Sequence, residues 1–333
     1  MEKQLPIIAV GDLRERMNRL GRLRIPFLWC VDFDCRRGFV IEHPESAAHN
    51  AVWWRVRGRG NIAGLGTASW VTPVMETVSS PASCVYRRMF DTVMAGLMRG
   101  DSFLANLTAR SRVECRCRLD DIFLSAGAPY KLLIGDEFVC FSPEPFVRIA
   151  DGYISAYPMK GTADASVDGA EAALLNNYKE LCEHYTIVDL MRNDLNSVAC
   201  DVEVTKFRYV ERIATAKGEI LQTSSEIRGR LPQGREFDFG DVIIPLLPAG
   251  SITGAPKEAT VRLINRAETS PRGWYTGVFG FFDGNVMDTA VMIRCIQRGD
   301  DGHLYFHSGG GITVNSICDE EYAEMITKVY LTQ

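Results

Sequence analysis

The chain has 333 residues, 46% hydrophobic and 24% charged, an ordinary globular composition with enough apolar material for a large core. Its net charge of −5 excludes the basic footprint that would indicate a nucleic acid or an anionic membrane as partner. No apolar run reaches the roughly 20 residues of a membrane span, and the charged segment Met1–Val10 does not resemble a signal peptide. Ten irregularly spaced cysteines without a CxxC pair favour reduced thiols, so we expect a cytoplasmic protein.

Hydrophobic patterning predicts a strand-rich beginning followed by mixed structure. Residues 1–80 are expected to be strands and turns, including a strand at Phe27–Phe33, and to belong to the same unit as residues 81–333. Apolar residues at helical intervals over Val85–Met98, followed by Gly100, predict a helix. Three further strands are predicted, at Phe103–Leu107, Phe138–Phe141 and Tyr153–Tyr157.

The second half alternates long helices with a hairpin. Ala170–Leu195 is predicted to be one long helix, and Asp319–Leu331 a final helix. Val278–Phe282 and Val286–Gln297 are predicted to pair as a hairpin around Asp283-Gly284. Because the strands cluster with antiparallel turns and do not alternate strictly with helices, we predict an α+β fold.

Two pairs of glutamates have the same spacing on two predicted helices. Glu180 and Glu183 lie three residues apart, on one helix face, and Glu321 and Glu324 repeat that spacing on the last helix. If the two helices face each other, their carboxylates could surround Mg²⁺, which prefers oxygen ligands and retains water. Either pair alone is more commonly a solvated helix face, so the metal hypothesis depends on the neighbouring motifs.

Lys160 lies in the run Tyr157–Thr162, just before the helix that carries the first glutamate pair. A glycine-flanked lysine beside a carboxylate-bound metal suggests an amine used for chemistry. Arg294, in a predicted apolar strand, needs a partner, which could be a structural carboxylate or a carboxylate of the substrate. The glycines of Ser308–Ile312 could turn N–H groups toward an anion or form a flexible turn. Gly250–Lys257 lacks the adjacent Gly-Lys of a P-loop and is predicted to be a loop leading into a helix.

Taken in order, several runs resemble the chorismate-utilising enzymes over roughly residues 80 to 333. They are Ser142-Pro143-Glu144, Pro158–Thr162, Glu183–Leu195, Gly250–Lys257, Tyr275-Thr276-Gly277, Arg294, Gly309–Ile312 and Glu321–Glu324. The resemblance implies that family's fold, with antiparallel sheets packed face to face and helices outside. It also implies that residues 81–333 form a chorismate-binding catalytic region.

Lys160 indicates the branch of the family. The Pro-x-Lys-Gly-Thr form resembles aminodeoxychorismate synthase component I, whereas anthranilate synthases typically have alanine at the lysine position. The resemblance implies that the uncharged Lys160 amine attacks ring carbon 2 of chorismate and expels the C4 hydroxyl. Ammonia then adds at C4 and releases the lysine, giving 4-amino-4-deoxychorismate for para-aminobenzoate and folate synthesis. Glu144 is the candidate acid that protonates the leaving hydroxide.

The resemblance also implies roles in binding. Glu183 and Glu324 match the family's metal ligands, with Glu180 and Glu321 acting through water on a Mg²⁺ that holds one chorismate carboxylate. The residues expected to hold the other carboxylate of chorismate, or to steady the end bound to the metal, are Tyr275, Arg294, Gly309, Gly310, Gly311 and Lys328. Thr162 and Asp189 are expected to lie next to the ring of chorismate.

Two departures from the family pattern bear on the reaction. Leu104 stands where isochorismate and salicylate synthases have a water-activating lysine, which argues against those activities. A histidine common in anthranilate-type members is missing from Ile220–Ile227, which weakens an aromatising loss of pyruvate. Since the chain has no Cys-His glutaminase motif, ammonia is expected from a separate glutaminase subunit. The alternatives are anthranilate synthase component I, isochorismate synthase and a non-catalytic chorismate-binding protein.

Overall fold

The computed structural model describes residues 5–46, 51–62, 73–215 and 218–331. The described residues contain helices α1 (Val10–Arg22), α2 (Ser83–Arg99), α3 (Leu119–Ser125), α4 (Ala170–Asn176), α5 (Tyr178–Asn196), α6 (Phe239–Ile243), α7 (Lys257–Ala267) and α8 (Cys318–Thr327). Short 3₁₀ turns occupy Ile244–Leu246 and Gly250–Ile252. Within these ranges, no helix combines the length and the apolar character needed to cross a membrane.

The strands form two antiparallel sheets. Sheet A contains β1 (Ile8–Ala9), β2 (Phe27–Val31), β3 (Arg37–Glu42), β10 (Pro145–Ala150), β11 (Tyr153–Ala156), β12 (Met159–Asp164), β13 (Cys200–Thr215), β14 (Gly218–Arg230), β16 (Val278–Phe282) and β17 (Met287–Val291). Sheet B contains β4 (Val52–Val56), β5 (Arg59–Gly60), β6 (Met75–Ser79), β7 (Leu104–Cys115), β8 (Tyr130–Ile134), β9 (Phe138–Ser142), β15 (Gly254–Ala255), β18 (Cys295–Arg298) and β19 (Leu304–Ile312).

The two sheets pack face to face, with the helices outside. Leu28 and Phe281 from sheet A share one buried cluster with Trp54 and Leu132 from sheet B. On the other side of sheet A, helices α1, α5 and α6 contribute to a second buried cluster. Helices α2, α7 and α8 cover β7 and β19 of sheet B. This arrangement confirms the predicted α+β fold.

Helix α1 corrects the prediction that residues 1–80 contain only strands and turns. Leu13, Met17 and Leu20 lie four and three residues apart and are fully buried, as expected for one face of a helix. The residues between them are mostly charged, and arginines dominate the exposed side. Strand β2 pairs with β16, so the N-terminal strands continue sheet A.

The predicted helix Ala170–Leu195 is two helices that meet at Asn177. The backbone of Asn177 is extended (φ −70°, ψ 109°), and its side chain accepts a hydrogen bond of 3.1 Å from the Glu180 N–H. Asparagine is a favoured N-cap because its side chain satisfies a free N–H of the first turn. The prediction was wrong because the helical periodicity runs through this position without a glycine or proline to interrupt it. As a result, Glu180 lies in the first turn of α5 and Glu183 nearly one turn later.

The predicted strand Val286–Gln297 is also divided, and its two parts belong to different sheets. Strand β17 lies in sheet A and β18 in sheet B, so the chain crosses between the sheets at residues 292–294. Arg294 has a left-handed backbone with φ 53°, which is uncommon for a residue other than glycine. Arg294 therefore lies at a crossover and not inside an apolar strand.

A buried lysine stabilises the end of helix α3. Lys131 is 2% exposed, and its Nζ donates to the carbonyl oxygens of Phe123 (2.6 Å) and Ala126 (2.9 Å). Carbonyls at a helix C-terminus have no partner within the helix, so this ammonium satisfies groups that burial would otherwise leave unpaired. Burial, together with the charge of Arg55, lowers the pKa of Lys131 to about 8.

We expect Lys131→Met to lower the free energy of unfolding by about 2 kcal/mol, because methionine cannot donate to the two buried carbonyls. Equilibrium urea denaturation measures the change. The matched control is Arg116→Met, at a side chain that is 76% exposed and pairs with Glu76 at the surface, where a change below about 0.5 kcal/mol is expected. Equal effects of the two substitutions would contradict the role given to Lys131.

Candidate active site

A cavity of about 250 Å³ lies where strands of both sheets meet helices α5 and α8. Four cationic and four carboxylic side chains line it: Lys160, Lys179, Lys328, Arg294, Glu144, Glu183, Glu321 and Glu324. All of these except Lys179 are residues that the sequence indicated. The fold therefore brings together groups from five separate parts of the chain.

Lys160 reaches this cavity because strand β12 has a bulge. Lys160 pairs with Thr223 of β14 and Thr162 pairs with Gln222, so Gly161 is the extra residue. Bulges re-aim the side chains beside them. Gly161 has φ 74°, and a Cβ there would lie 3.1 Å from Glu180 Oε2 and 3.0 Å from Leu174. Glycine is needed here for both reasons, which explains the Lys-Gly sequence.

Two lysines neutralise two of the cavity carboxylates. Lys160 Nζ lies 3.6 Å from Glu183 Oε2, and both side chains are little more than one third exposed. Lys328 follows the end of helix α8, which stops at Thr327 and not at the predicted Leu331. Its Nζ lies 2.6 Å from Glu324 Oε1 and donates to the Gly309 carbonyl at 2.8 Å. Burial would raise the pKa of Glu324, but the hydrogen bond and charge of Lys328 outweigh burial and lower it.

The chemistry of the cavity carboxylates suits a magnesium ion, although they are not gathered around one point. In the described part of the chain, no group of three or more His, Cys, Asp or Glu side chains is close enough to hold a metal. Gly310 leaves room next to two of the candidates, because a Cβ there would lie 3.4 Å from both Glu321 and Glu324. Burial raises the pKa of Glu321, and a nearby cation would favour its charged form. The residues present therefore fit a hard cation in type.

Glu144 lies between β9 and β10 and is held by a serine from a distant loop. Ser251 Oγ donates to Glu144 Oε1 at 2.8 Å. Burial raises the pKa of Glu144, while the Ser251 hydrogen bond and the charges of Lys160 and Lys328 act in the opposite direction. A carboxyl group with a raised pKa remains protonated to higher pH, which is what a proton donor requires.

Arg294 and Tyr275 also line the cavity. Arg294 Nη1 donates to the Lys328 carbonyl at 2.8 Å, and its guanidinium carbon lies 4.6 Å from the centre of the Tyr330 ring. Tyr275 is 4% exposed and its ring packs on that of His307, with centres 4.9 Å apart. Burial, followed by the charges of Arg110 and Arg272, lowers the pKa of His307 to about 3, so this imidazole is neutral at ordinary pH.

The glycine run forms part of strand β19 and not a loose turn. Gly309, Gly310 and Gly311 line the cavity while their backbone pairs with β7. Leu104 Cδ1 lies 3.0 Å from the position of a Cβ on Gly311, so this leucine packs against the strand and is not among the cavity residues.

Three residues expected at the site lie outside the cavity. Thr162 is exposed on β12, beyond the bulge. Asp189 is exposed on α5 and pairs with Arg192 at 2.7 Å. Glu180 lies beside Gly161 and does not line the cavity. The two glutamates of this pair contact neighbouring positions of β12: Glu183 faces Lys160, whereas Glu180 lies beside Gly161.

The sequence analysis did not single out Ser251, Lys179 or His307. Ser251 belonged to a run that was predicted to be only a loop, and Glu144 lies 107 residues before it. Lys179 immediately precedes Glu180, which was a local signal that it shares the helix end near the cavity. Its charge acts on Glu321 and Glu324 from the opposite helix. Nothing in the sequence around His307 indicates its packing against Tyr275.

Comparison with known proteins identifies the family. Residues 45–332 match the family described as chorismate binding enzyme. The chain belongs to this chorismate-utilising family. Its fold agrees with the crystal structure of anthranilate synthase component I from Streptococcus pneumoniae, with a TM-score of 0.63 and 28% identity, over 78% of this chain and 59% of that one.

Two relatives show how the chain compares in length. An uncharacterized PabA-like protein of Pasteurella multocida is 48% identical over 95% of this chain and 97% of its own length. Aminodeoxychorismate synthase component 1 of Salmonella typhimurium is 32% identical over 75% of this chain, which corresponds to 57% of the longer synthase. The chain thus spans little more than half the length of the named synthase.

Ser251→Ala should reduce chorismate consumption about tenfold at the optimal pH, because Glu144 loses the group that orients it. The hydroxyl stabilises the carboxylate form, so its removal raises the pKa of Glu144 further. A proton donor is active below its pKa, so the alkaline fall of kcat/KM should move to higher pH. A pH profile of kcat/KM measures both effects.

Ser251→Thr is the matched control because it retains the hydroxyl, and it should keep the alkaline fall near its original pH. An alkaline limb that moves equally in both variants would contradict the assignment of Glu144 as the donor controlled by Ser251.

Proposed function

We propose that the protein aminates chorismate with ammonia to 4-amino-4-deoxychorismate, as an aminodeoxychorismate synthase component I. The observation that carries the proposal is the lysine at position 160, whose amine faces a cavity that also contains Glu144. Anthranilate synthases do not need a nucleophilic amine at this point. A primary amine and a carboxyl group that can donate a proton are the two groups that a covalent displacement of hydroxide requires, and Lys160 and Glu144 line the same cavity.

The charges of the cavity support a requirement for magnesium. The four cationic side chains are matched by four carboxyl groups, so the fully ionised cavity is formally neutral. Chorismate carries two carboxylates, and a neutral cavity offers a dianion little net attraction. One Mg²⁺ would balance those two charges. Glu183 and Glu324 would hold it, with Glu321 acting through water, and it would bind one carboxylate of the substrate.

The chain's own residues account for the covalent steps. The neutral Lys160 amine forms a bond to ring carbon 2, both double bonds of the ring diene shift by one position, and the C4–oxygen bond breaks so that the hydroxyl leaves as water with a proton from Glu144. Ammonia then adds at C4, both double bonds return to their original positions, and the bond between C2 and the lysine nitrogen breaks. The ammonium proton returns to Glu144, so the residues end the cycle as they began. Arg294 and Tyr275 would hold the second carboxylate and fix the ring over the amine.

Product identity tests the proposal. The purified protein is incubated with chorismate, Mg²⁺ and excess ammonium at the pH optimum of chorismate consumption, and the products are separated with and without an added aminodeoxychorismate lyase. We expect para-aminobenzoate only when the lyase is present. Fluorescent anthranilate formed without the lyase would instead identify anthranilate synthesis, and unconsumed chorismate would favour a non-catalytic binding protein. A separate glutaminase is the expected source of ammonia when glutamine replaces ammonium.

Lys160→Ala should lower the amination rate by at least about a hundredfold, because the covalent route is lost. Binding of chorismate with Mg²⁺, followed as a shift in melting temperature, should remain. Lys206→Ala, at a mostly exposed lysine, is the control and should retain full activity. Intact-protein mass measured without ammonia should reveal an adduct on the unmodified protein and none on Lys160→Ala; undiminished amination by that variant would refute the nucleophile role.

Glu183→Gln should raise the Mg²⁺ concentration needed for half-maximal rate by about tenfold or more, since one negative ligand becomes neutral. Initial rates of chorismate consumption across a Mg²⁺ series measure the effect. Glu258→Gln on α7, where the side chain is 93% exposed, is the control. If Glu183→Gln leaves the Mg²⁺ dependence unchanged, Glu183 is not a ligand.

A further inference from the structure

A buried ion pair lies behind the cavity wall, between the end of α7 and strand β16. The side chains of Arg272 and Glu268 are 2% and 6% exposed. Arg272 Nε donates to Glu268 Oε2 at 2.9 Å, and Nη2 donates to Oε1 at 2.6 Å. This bidentate geometry fixes the plane of the guanidinium. Neither residue lines the cavity, and the sequence analysis assigned no role to either.

The remaining donors of Arg272 all bind groups from other segments of the cavity wall. Nη1 donates to the Ile252 carbonyl at 2.9 Å and to Thr276 Oγ1 at 3.3 Å, and Nη2 also donates to the Asn106 carbonyl at 2.7 Å. Together with the two bonds to Glu268, these use all five N–H groups of the guanidinium. A lysine could supply neither the number nor the directions of these bonds.

Each acceptor lies at or next to a residue of the candidate site. Ile252 follows Ser251, which holds Glu144, and Thr276 follows Tyr275. Asn106 lines the cavity and pairs opposite Gly311. Glu268 Oε1 also accepts from the N–H and the hydroxyl of Thr108, both at 2.9 Å, and Thr108 pairs opposite Gly309. The ion pair therefore connects the acid, the tyrosine and the glycine strand.

Thr276 shows why such support is needed. Its φ of 59° lies in the left-handed region, which is unfavourable for a β-branched residue and persists only where the surroundings enforce it. The Thr276 N–H donates to the Met292 carbonyl at 2.7 Å, and its hydroxyl receives the bond from Arg272. This backbone conformation sets the direction of the preceding Tyr275.

We propose that Arg272, fixed by Glu268, is a positioning residue that sets the relative placement of Glu144, Tyr275 and the Gly309–Gly311 strand. The inference rests on the proposed function only in using chorismate as the substrate. The competing view is that the pair merely stabilises the fold. Buried ion pairs can often be replaced by apolar residues without loss of stability, so the two views can be separated.

The test compares a single and a double substitution. Arg272→Met leaves Glu268 buried without its partner and should destabilise the protein strongly. Arg272→Met combined with Glu268→Leu replaces both charges by apolar groups, so much of the melting temperature should return. Lys131→Met is the control for stability, because it removes buried hydrogen bonds elsewhere in sheet B. Melting temperature, kcat and KM for chorismate consumption are measured for each protein below its own melting range.

We expect the folded double variant to have kcat/KM lowered by about a hundredfold, with both a lower kcat and a higher KM, since the acid and the carboxylate-binding residues shift together. Lys131→Met should lose stability but keep kcat/KM within about twofold. A double variant with restored melting temperature and near-normal kcat/KM would overturn the proposal, as would equal loss of kcat/KM in Lys131→Met. If the double variant does not fold, Arg272→Lys, which retains the charge, takes its place. Its kcat/KM should also fall by about a hundredfold, and a near-normal kcat/KM would overturn the proposal.

The outcome is independent of which product forms. The readout is consumption of chorismate relative to the unmodified protein, so formation of anthranilate would contradict the proposed function and leave this comparison valid. Should the unmodified protein consume no chorismate, binding of chorismate with Mg²⁺ measured by calorimetry replaces the rate. A dissociation constant raised about tenfold in the double variant would then support the proposal, and an unchanged constant would overturn it.

Discussion

The structure depends on pairing opposite charges inside a cavity that both sheets share. Lys160 on β12 faces Glu183 on helix α5, and Lys328 at the end of helix α8 faces Glu324 one turn earlier on that helix. A partly buried charge without a partner is unfavourable, and each of these pairs gives a carboxylate a cationic neighbour inside the cavity. Under the proposed function, this cavity is where a negatively charged protein would bind an anion together with additional positive charge.

The sequence predicted the parts of the site that short motifs encode. Lys160 beside a glycine, the glutamates Glu183, Glu321 and Glu324 and the run of glycines all stood out from local spacing, and the family resemblance gave their common purpose, although the bulge at Gly161 and the strand conformation of the glycine run were not predicted. Contacts between distant segments could not be predicted in this way. Ser251 reaches Glu144 only because sheets A and B pack together, and Arg272 meets Asn106 across 166 residues of chain. Periodicity along one segment contains no information about such distances.

The errors in the fold prediction have physical causes of the same kind. At Asn177 a side-chain cap competes successfully with a continuing helix, although the apolar pattern continues through it. At Arg294 a continuous apolar run crosses from one sheet to the other, because both halves are buried and a periodic pattern cannot distinguish two sheets from one. Thr162 and Asp189 match the family's sequence pattern but lie outside the cavity, which shows that a motif position does not by itself fix the direction of a side chain.

The crossover at Arg294 has a consequence for how this architecture can vary. Arg294 is one of the three residues that connect β17 to β18, and its guanidinium donates to the carbonyl of Lys328, just after α8. Any sliding of one sheet over the other would move this group relative to the glycine strand. The distance between the two sheets is thus coupled to the dimensions of the ligand. Insertions should therefore be tolerated more readily at the β4–β5 hairpin, far from the crossover at residues 292–294, than within that crossover.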